Sequence, residues 1–250
     1  MSADTFSVRF ALLFLAAVAG NAVVATAPAS AQAIDPARKV LGVELARLLN
    51  SEEITRAQGA KMIAQTFPQA LAADPDLKMA EQAYPGVIKA LLDAVMPAAL
   101  EQTIQRLPLL WDRIGTLYAQ NLTDAEIRAA LQFYRSPAGA KVIQVMTAET
   151  DFSAAVKESI ESEDNKISTD SLRKGLTTGM DKLGDRLTAD EQAAVVRFAV
   201  TPAGSKAGAL APRIQALAVE WANESENSAQ LQKLAIDTVQ KFIAEHGEKE

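Results

Sequence analysis

Glu126 and Glu191 are the carboxylates whose placement invites a chemical reading. Each closes a Thr-x-x-Glu tetrapeptide, Thr123 to Glu126 and Thr188 to Glu191. Two carboxyls across a cleft, one kept protonated and one ionised, are the machinery of glycoside hydrolysis. The same spacing also has a structural use. A Thr at a helix N-cap accepts from the N–H three residues on, and a Glu there reaches back to the Thr N–H. Both glutamates are expected to act as caps. No catalytic residue is assigned, and the chain is expected not to be an enzyme.

The remaining inventory points the same way. The 250 residues include one histidine, His246, and no cysteine. Thiolate metal sites, cysteine nucleophiles and lipid attachment through cysteine are therefore excluded. A Ser–His pair would have to recruit His246 from a C-terminal tail, and no Gly-x-Ser-x-Gly elbow occurs. Glu161, Glu163, Asp164 and Asp170 are acidic neighbours, but Lys166 stands where an EF-hand loop needs glycine, so they read as a solvated corner. No metal or cofactor is expected. Asn121-Leu122-Thr123 and Asn223-Glu224-Ser225 match a glycosylation pattern only incidentally. A net charge of −6 argues against nucleic acid as a partner.

The two Thr-x-x-Glu units belong to a longer repeat. Leu122-Thr123-Asp124-Ala125-Glu126 leads to Phe133-Tyr134-Arg135-Ser136-Pro137-Ala138-Gly139-Ala140-Lys141. Leu187-Thr188-Ala189-Asp190-Glu191 leads, at a constant offset, to Phe198-Ala199-Val200-Thr201-Pro202-Ala203-Gly204-Ser205-Lys206. The pattern predicts helix, sharp corner, helix. Ser136 and Thr201 cap the second helix of each unit, Pro137 and Pro202 take its first position, and Gly139 and Gly204 permit close approach. Leu122 and Ile127 fit a hydrophobic staple across the first cap. Gln192 replaces the apolar staple residue in the second unit and Ala199 replaces Tyr134, so that corner is expected to be less firmly fixed.

The first unit resembles the bacterial domain of unknown function numbered two thousand and fifty-nine, whose pattern is L-T-x-x-E followed by F-Y-x-S-P-x-G-x-K. Resemblance is strong over Leu122 to Lys141 and extends over Pro108 to Ile160; the second unit is a degenerate copy. It implies an exported, all-α bacterial protein. It implies no reaction and carries no catalytic residue.

The elements that must position these residues are all expected to be helical. Alanine is abundant and aromatics make up 5%, and no stretch alternates as a strand. Arg9, the apolar run Phe10 to Ala19, and the small-residue sites Ala29-Ser30-Ala31 and Ala31-Gln32-Ala33 read as an export signal. Cleavage after Ala31 or Ala33 would release a periplasmic chain with no stable membrane span. Helices are expected from Asp35-Pro36 through Leu49, from a cap offered by Asn50 and Ser51 through Phe67 with a disturbance at Pro68, from Pro85 with a kink at Pro97, and anew from Pro108. A turn is expected at Asp74-Pro75-Asp76. The helix from Pro137 should reach about Ile160, a shorter one should cover Leu172 to Leu183, and one from Pro202 should bend at Pro212. Asn227 or Ser228 should cap the last helix, before a tail from Glu245. The organisation is read as a signal over 1–33, an N-terminal helical segment over 34–106, a motif-bearing unit over 107–162 and a degenerate unit over 163–250.

The expected fold is an antiparallel helical bundle or short helical array with two related helix–corner–helix units. Thr123, Glu126, Phe133, Tyr134, Arg135, Pro137 and Gly139, with Thr188, Glu191, Phe198, Pro202 and Gly204, form the candidate structural or interaction motif. Trp111, Tyr118, Phe133, Tyr134 and Trp221 read first as core and second as an apolar pocket. Arg135 and Lys141 leave one corner and could meet an anion. The leading function is a non-enzymatic envelope protein acting through another protein or through self-association. The alternatives are a module holding an apolar or amphipathic ligand and a carboxylate-based hydrolase.

Overall fold

The computed structural model describes residues 34–162, 166–224 and 229–246, except the side chain of Asp76. The export segment, Glu163, Asp164, Ser225, the expected caps Asn227 and Ser228, and residues 247–250 lie outside them. The described residues are all-α and contain no strand.

Helix α1 spans Pro36–Leu49. The Asp35 carboxylate accepts the Ala37 N–H at 2.8 Å, and Pro36 fills the first position. Helix α2, Glu52–Lys61, starts where Ser51 Oγ accepts the Ile54 N–H at 3.2 Å. The chain then widens into a π-helical turn over Met62–Thr66 before α3, Phe67–Ala73. Pro68 explains the widening: it offers no N–H and its ring crowds the carbonyl four residues back. Asp74 is a one-residue break; its carboxylate accepts the Leu77 N–H at 3.0 Å and starts α4, Pro75–Ala83.

Helix α5 overturns one expected boundary. It runs unbroken over 35 residues, Val87–Asn121, with Pro97 and Pro108 both inside it. No helix begins at Pro108, and the 106/107 division falls within α5. Both prolines sit on the exposed side. Burial on the other side holds the helix through each missing hydrogen bond: Val95, Met96 and Ala99 beside Pro97, Leu107, Leu110 and Ile114 beside Pro108. Packing has overridden propensity. Helix α1 lies on α5 at Gly42 and Gly115, where a Cβ on Gly42 would stand 2.3 Å from the Gly115 carbonyl oxygen.

Helices α6, Asp124–Arg135, and α7, Pro137–Glu149, form the first corner. The expected continuation of α7 to Ile160 is wrong. The helix stops at Glu149, and a separate α8 occupies Ser153–Glu161. Thr150 Oγ1 donates to the Met146 carbonyl at 2.7 Å, and Asp151 accepts from the Ser153 N–H at 2.9 Å. Lys61 Nζ donates to the Ala148 and Thr150 carbonyls at 2.5 and 2.9 Å, satisfying the frayed end.

Helix α9 covers Thr169–Arg186, longer than expected at both ends, and opens with Ser168 as cap. Helices α10, Ala189–Ala199, and α11, Pro202–Asn223, form the second corner; Pro212 lies inside α11. Helix α12, Ala229–His246, returns along α5. Helix α5 is thus the spine, packed by α1, α11 and α12, and one core runs through both corners. Among the described residues no helix is long and apolar enough to cross a membrane.

Candidate functional site

The two corners are built alike, atom for atom. Thr123 Oγ1 accepts the Glu126 N–H at 3.3 Å, and the Glu126 carboxylate accepts the Thr123 N–H at 2.8 Å. Thr188 and Glu191 repeat both bonds at 3.3 and 2.8 Å. Ser136 Oγ donates to the Phe133 carbonyl at 2.6 Å and accepts the Gly139 N–H at 3.2 Å. Thr201 Oγ1 does the same with Phe198 and Gly204, at 2.7 and 3.1 Å. Gly139 and Gly204 are required because the preceding helix end folds onto them. A Cβ on either would stand 2.1 Å from the Phe133 or Phe198 carbonyl oxygen.

The units also face each other across an approximate two-fold relation. Helix α6 packs on α11 while α10 packs on α7. The rings of Phe133 and Phe198, matched positions of the repeat, stack with centroids 4.0 Å apart and planes within 5°. Tyr134 closes the cluster edge-on to both rings. Lys206 of the second unit pairs with Glu126 of the first at 2.7 Å, and Lys141 of the first lowers the pKa of Glu191 in the second through its charge.

This arrangement bears on the carboxylates. The Lys206 ammonium, then the Thr123 N–H, hold the Glu126 carboxyl below its ordinary range. The Thr188 N–H, then the Thr188 hydroxyl, do the same to Glu191. An acid–base pair needs its two members shifted apart; these are shifted together, toward ionisation. Leu122 and Ile127, the staple residues, are both buried in the core. In the second unit Gln192 takes over with hydrogen bonds, its Nε2 donating to the Gly184 and Leu187 carbonyls at 2.7 and 3.0 Å. Helix α10 buries none of its residues, whereas α6 buries Ile127, Ala130 and Leu131.

The other singled-out groups have local partners. Arg135 pairs with Glu44 of α1, and Lys141 donates to Gln144 at 3.0 Å. Trp221 is buried; its indole donates to the Arg106 carbonyl at 3.3 Å while the Arg106 guanidinium lies over its ring. Trp111 donates to the Asn50 carbonyl at 2.7 Å, beneath Arg47. Tyr118 is buried; desolvation pushes its phenol far above the ordinary value and that of Tyr134 up to about 12. His246 is exposed at the end of α12, stacked on Phe242. Asp170 pairs with Arg173 and Glu161 with Lys157. Asn121 donates to the Leu117 carbonyl, and Asn223 exchanges hydrogen bonds with Ile167. Among the described residues no cluster of acids and histidine is arranged to hold a metal.

What the sequence did not reveal is a groove. It has a volume of about 1360 Å³ and lies between α1, α2 with its π turn, and the α6–α7 corner. Leu48, Ile54, Tyr134 and Ile143 give it apolar lining; Glu44, Arg47, Glu53 and Lys61 give it charge. Of the repeat, Tyr134, Arg135 and Ala140 reach it. Leu48, Ile54 and Ile143 fit helical periodicity, but periodicity alone cannot say that they share a cleft.

Residues 110–159 match the family model described as an uncharacterized protein conserved in bacteria (DUF2059). The matched segment runs from the last turns of α5 into α8 and holds the first corner complete; one copy is matched, and the second corner lies outside it. No curated protein and no solved structure matches the chain.

Proposed function

We propose that this chain is an exported, non-enzymatic protein of the bacterial envelope that works by binding another polypeptide in the groove between α1, α2 and the α6–α7 corner. The groove itself carries the reading. Its volume and its mixed lining suit a segment with an apolar stripe and charged flanks. The engagement of Glu126 and Glu191 in paired caps supports the non-enzymatic part, since both are committed to holding corners. Arg9, the run Phe10 to Ala19 and the small-residue sites support export.

Native mass spectrometry of protein recovered from the periplasm tests this. A retained polypeptide mass is expected with the unaltered chain and not with Ile54→Glu or Ala140→Glu, whose melting temperatures should stay within a few degrees. The bare chain in every preparation, or a partner kept by both variants, refutes the groove. A small adduct mass in place of a polypeptide would favour the second reading, an amphipathic small ligand, which the same apolar lining admits. Hydrolysis of glycan, peptide or ester lost in Glu126→Gln with the fold intact would restore the enzyme reading.

A further inference from the structure

The near-symmetry of the two corners exposes one difference between them. In α6, Asp124, Leu131 and Arg135 lie along the face that meets α1: Asp124 pairs with Arg38 at 2.7 Å, Arg135 pairs with Glu44, and Leu131 is buried. The matched positions are Ala189 and Val196 of α10 and Val200 at its C-cap, with Ala193 between them. Among the described residues no element covers this face: Val196 is 61% and Val200 78% exposed, and Ala189 and Ala193 are exposed too. An uncovered copy of a packing face should become more polar. Here the covered face carries the charges and the open one carries alanine and valine, which is how an interface behaves.

We propose that this face of α10 docks against the same face of α10 in a second copy of the chain, antiparallel and about a two-fold axis. The proposal rests on the reading of this chain as a protein that works by contact, and adds a surface separate from the groove. Ala189, Ala193, Val196 and Val200 follow the four-three-four spacing of a helix–helix seam. Phe198, which stacks on the first corner, and Glu191, which holds the cap of its own corner, then fall on the opposite side of α10. The charges select the occupant. Asp190 and Arg197 flank the seam on one side, seven residues apart, both exposed. In an antiparallel pair each Asp190 comes beside the other copy's Arg197, so the face is complementary to itself twice over. A single short helix per copy buries far less than the ~1,200 Å² of stable interfaces, so the dimer is weak and depends on concentration.

Sedimentation equilibrium of the purified protein from about 10 µM to about 1 mM provides the test, the range in which a small interface half-associates. The average mass should rise toward two chains. Val196→Glu should hold it at one chain across the range with a melting temperature changed by no more than a few degrees, because this side chain is 61% exposed. Arg197→Asp should weaken association at least tenfold by setting like charges together, and adding Asp190→Arg should restore it. A constant single-chain mass for the unaltered protein overturns the proposal. So does association that survives Val196→Glu, or a double reversal that fails to restore it. Groove occupancy measured on Val196→Glu keeps the readings apart: it should be unchanged, and its absence in all forms would count against the groove alone.

Discussion

Gly204 and Gly208 lie one turn apart in α11, and replacing each with alanine should move stability in opposite directions. An ideal Cβ on Gly204 would stand 2.1 Å from the Phe198 carbonyl oxygen, 2.8 Å from its carbon and 2.9 Å from Ala199 Cα. All three are backbone atoms at the end of α10, so no side-chain rotation relieves the overlap. Overpacking of this kind costs about 1–3 kcal/mol, and the rigidity of the carbonyl puts it near the upper end. Alanine regains about 1 kcal/mol of helix propensity, leaving a net loss of about 2 kcal/mol. For a chain of this size that lowers the melting temperature by about 4–8 °C. A Cβ on Gly208 meets nothing within 4 Å, so Gly208→Ala should keep its propensity gain of about 0.5–1 kcal/mol and melt about 1–4 °C higher. Thermal and urea denaturation of both variants, read by circular dichroism, is the assay. A Gly204→Ala protein as stable as Gly208→Ala would refute the corner geometry.

Further outcomes follow from the same contacts. Phe133 is half-buried, so Phe133→Ala should cost less than the about 3–5 kcal/mol of a fully buried ring; a double-mutant cycle with Phe198→Ala should give a coupling of about 0.5–1.5 kcal/mol, and zero coupling would deny the stack. The folded-state pKa of Glu126 is depressed, so its stabilising contribution is complete above the ordinary carboxylate value of about 4.3 and is lost as pH falls through the folded value. Glu126→Gln should flatten the acid limb of stability against pH measured in urea, and an unchanged limb would contradict the Lys206 and Thr123 bonds. Intact-mass measurement on periplasmic protein should place the first residue at Gln32 or Ile34, whereas Met1 retained in a membrane pellet would end the export reading.

Local chemistry was legible in the sequence and tertiary choice was not. Asp35, Ser51, Thr123, Ser136, Thr188 and Thr201 cap where their spacing placed them, because a cap depends on a few neighbouring atoms. The errors at Pro108 and Thr150 share a cause. Pro108 is a helix starter by type, yet burial of Leu107, Leu110 and Ile114 carries α5 through it. Thr150 to Ser153 carries its own stop signal, Asp151 two residues before Ser153, but Val145, Met146, Ala155 and Val156 are all buried and read as one apolar run. The break is fixed from afar: the Asp151 N–H donates to the Gly175 carbonyl at 3.3 Å and Lys61 reaches the carbonyls of Ala148 and Thr150. The groove was illegible for the same reason, since its lining is drawn from α1, α2, α6 and α7.

A repeat separates what a unit needs in order to fold from what each copy is used for. Residues alike in both copies sit at the corner or on the axis: the Thr–Glu caps, the stacked Phe133 and Phe198, the glycines under the carbonyls, and the lysines whose charge acts on the other copy's glutamate. Their likeness is explained by folding alone, so the best-matched residues are the least informative about function. The divergent positions report what each copy faces. Tyr134 and Arg135 of the first copy line the groove, and Arg135 also holds α1 through Glu44; their counterparts Ala199 and Val200 stand exposed. Loss of Tyr134's counterpart removes the means to build a second groove, and loss of Arg135's counterpart removes the means to hold a second α1. Two corners of one design are thereby given different external faces, one a groove with charged lining, the other an exposed aliphatic stripe. Changes at the shared positions should therefore alter stability, and changes at the divergent ones should alter what the protein holds.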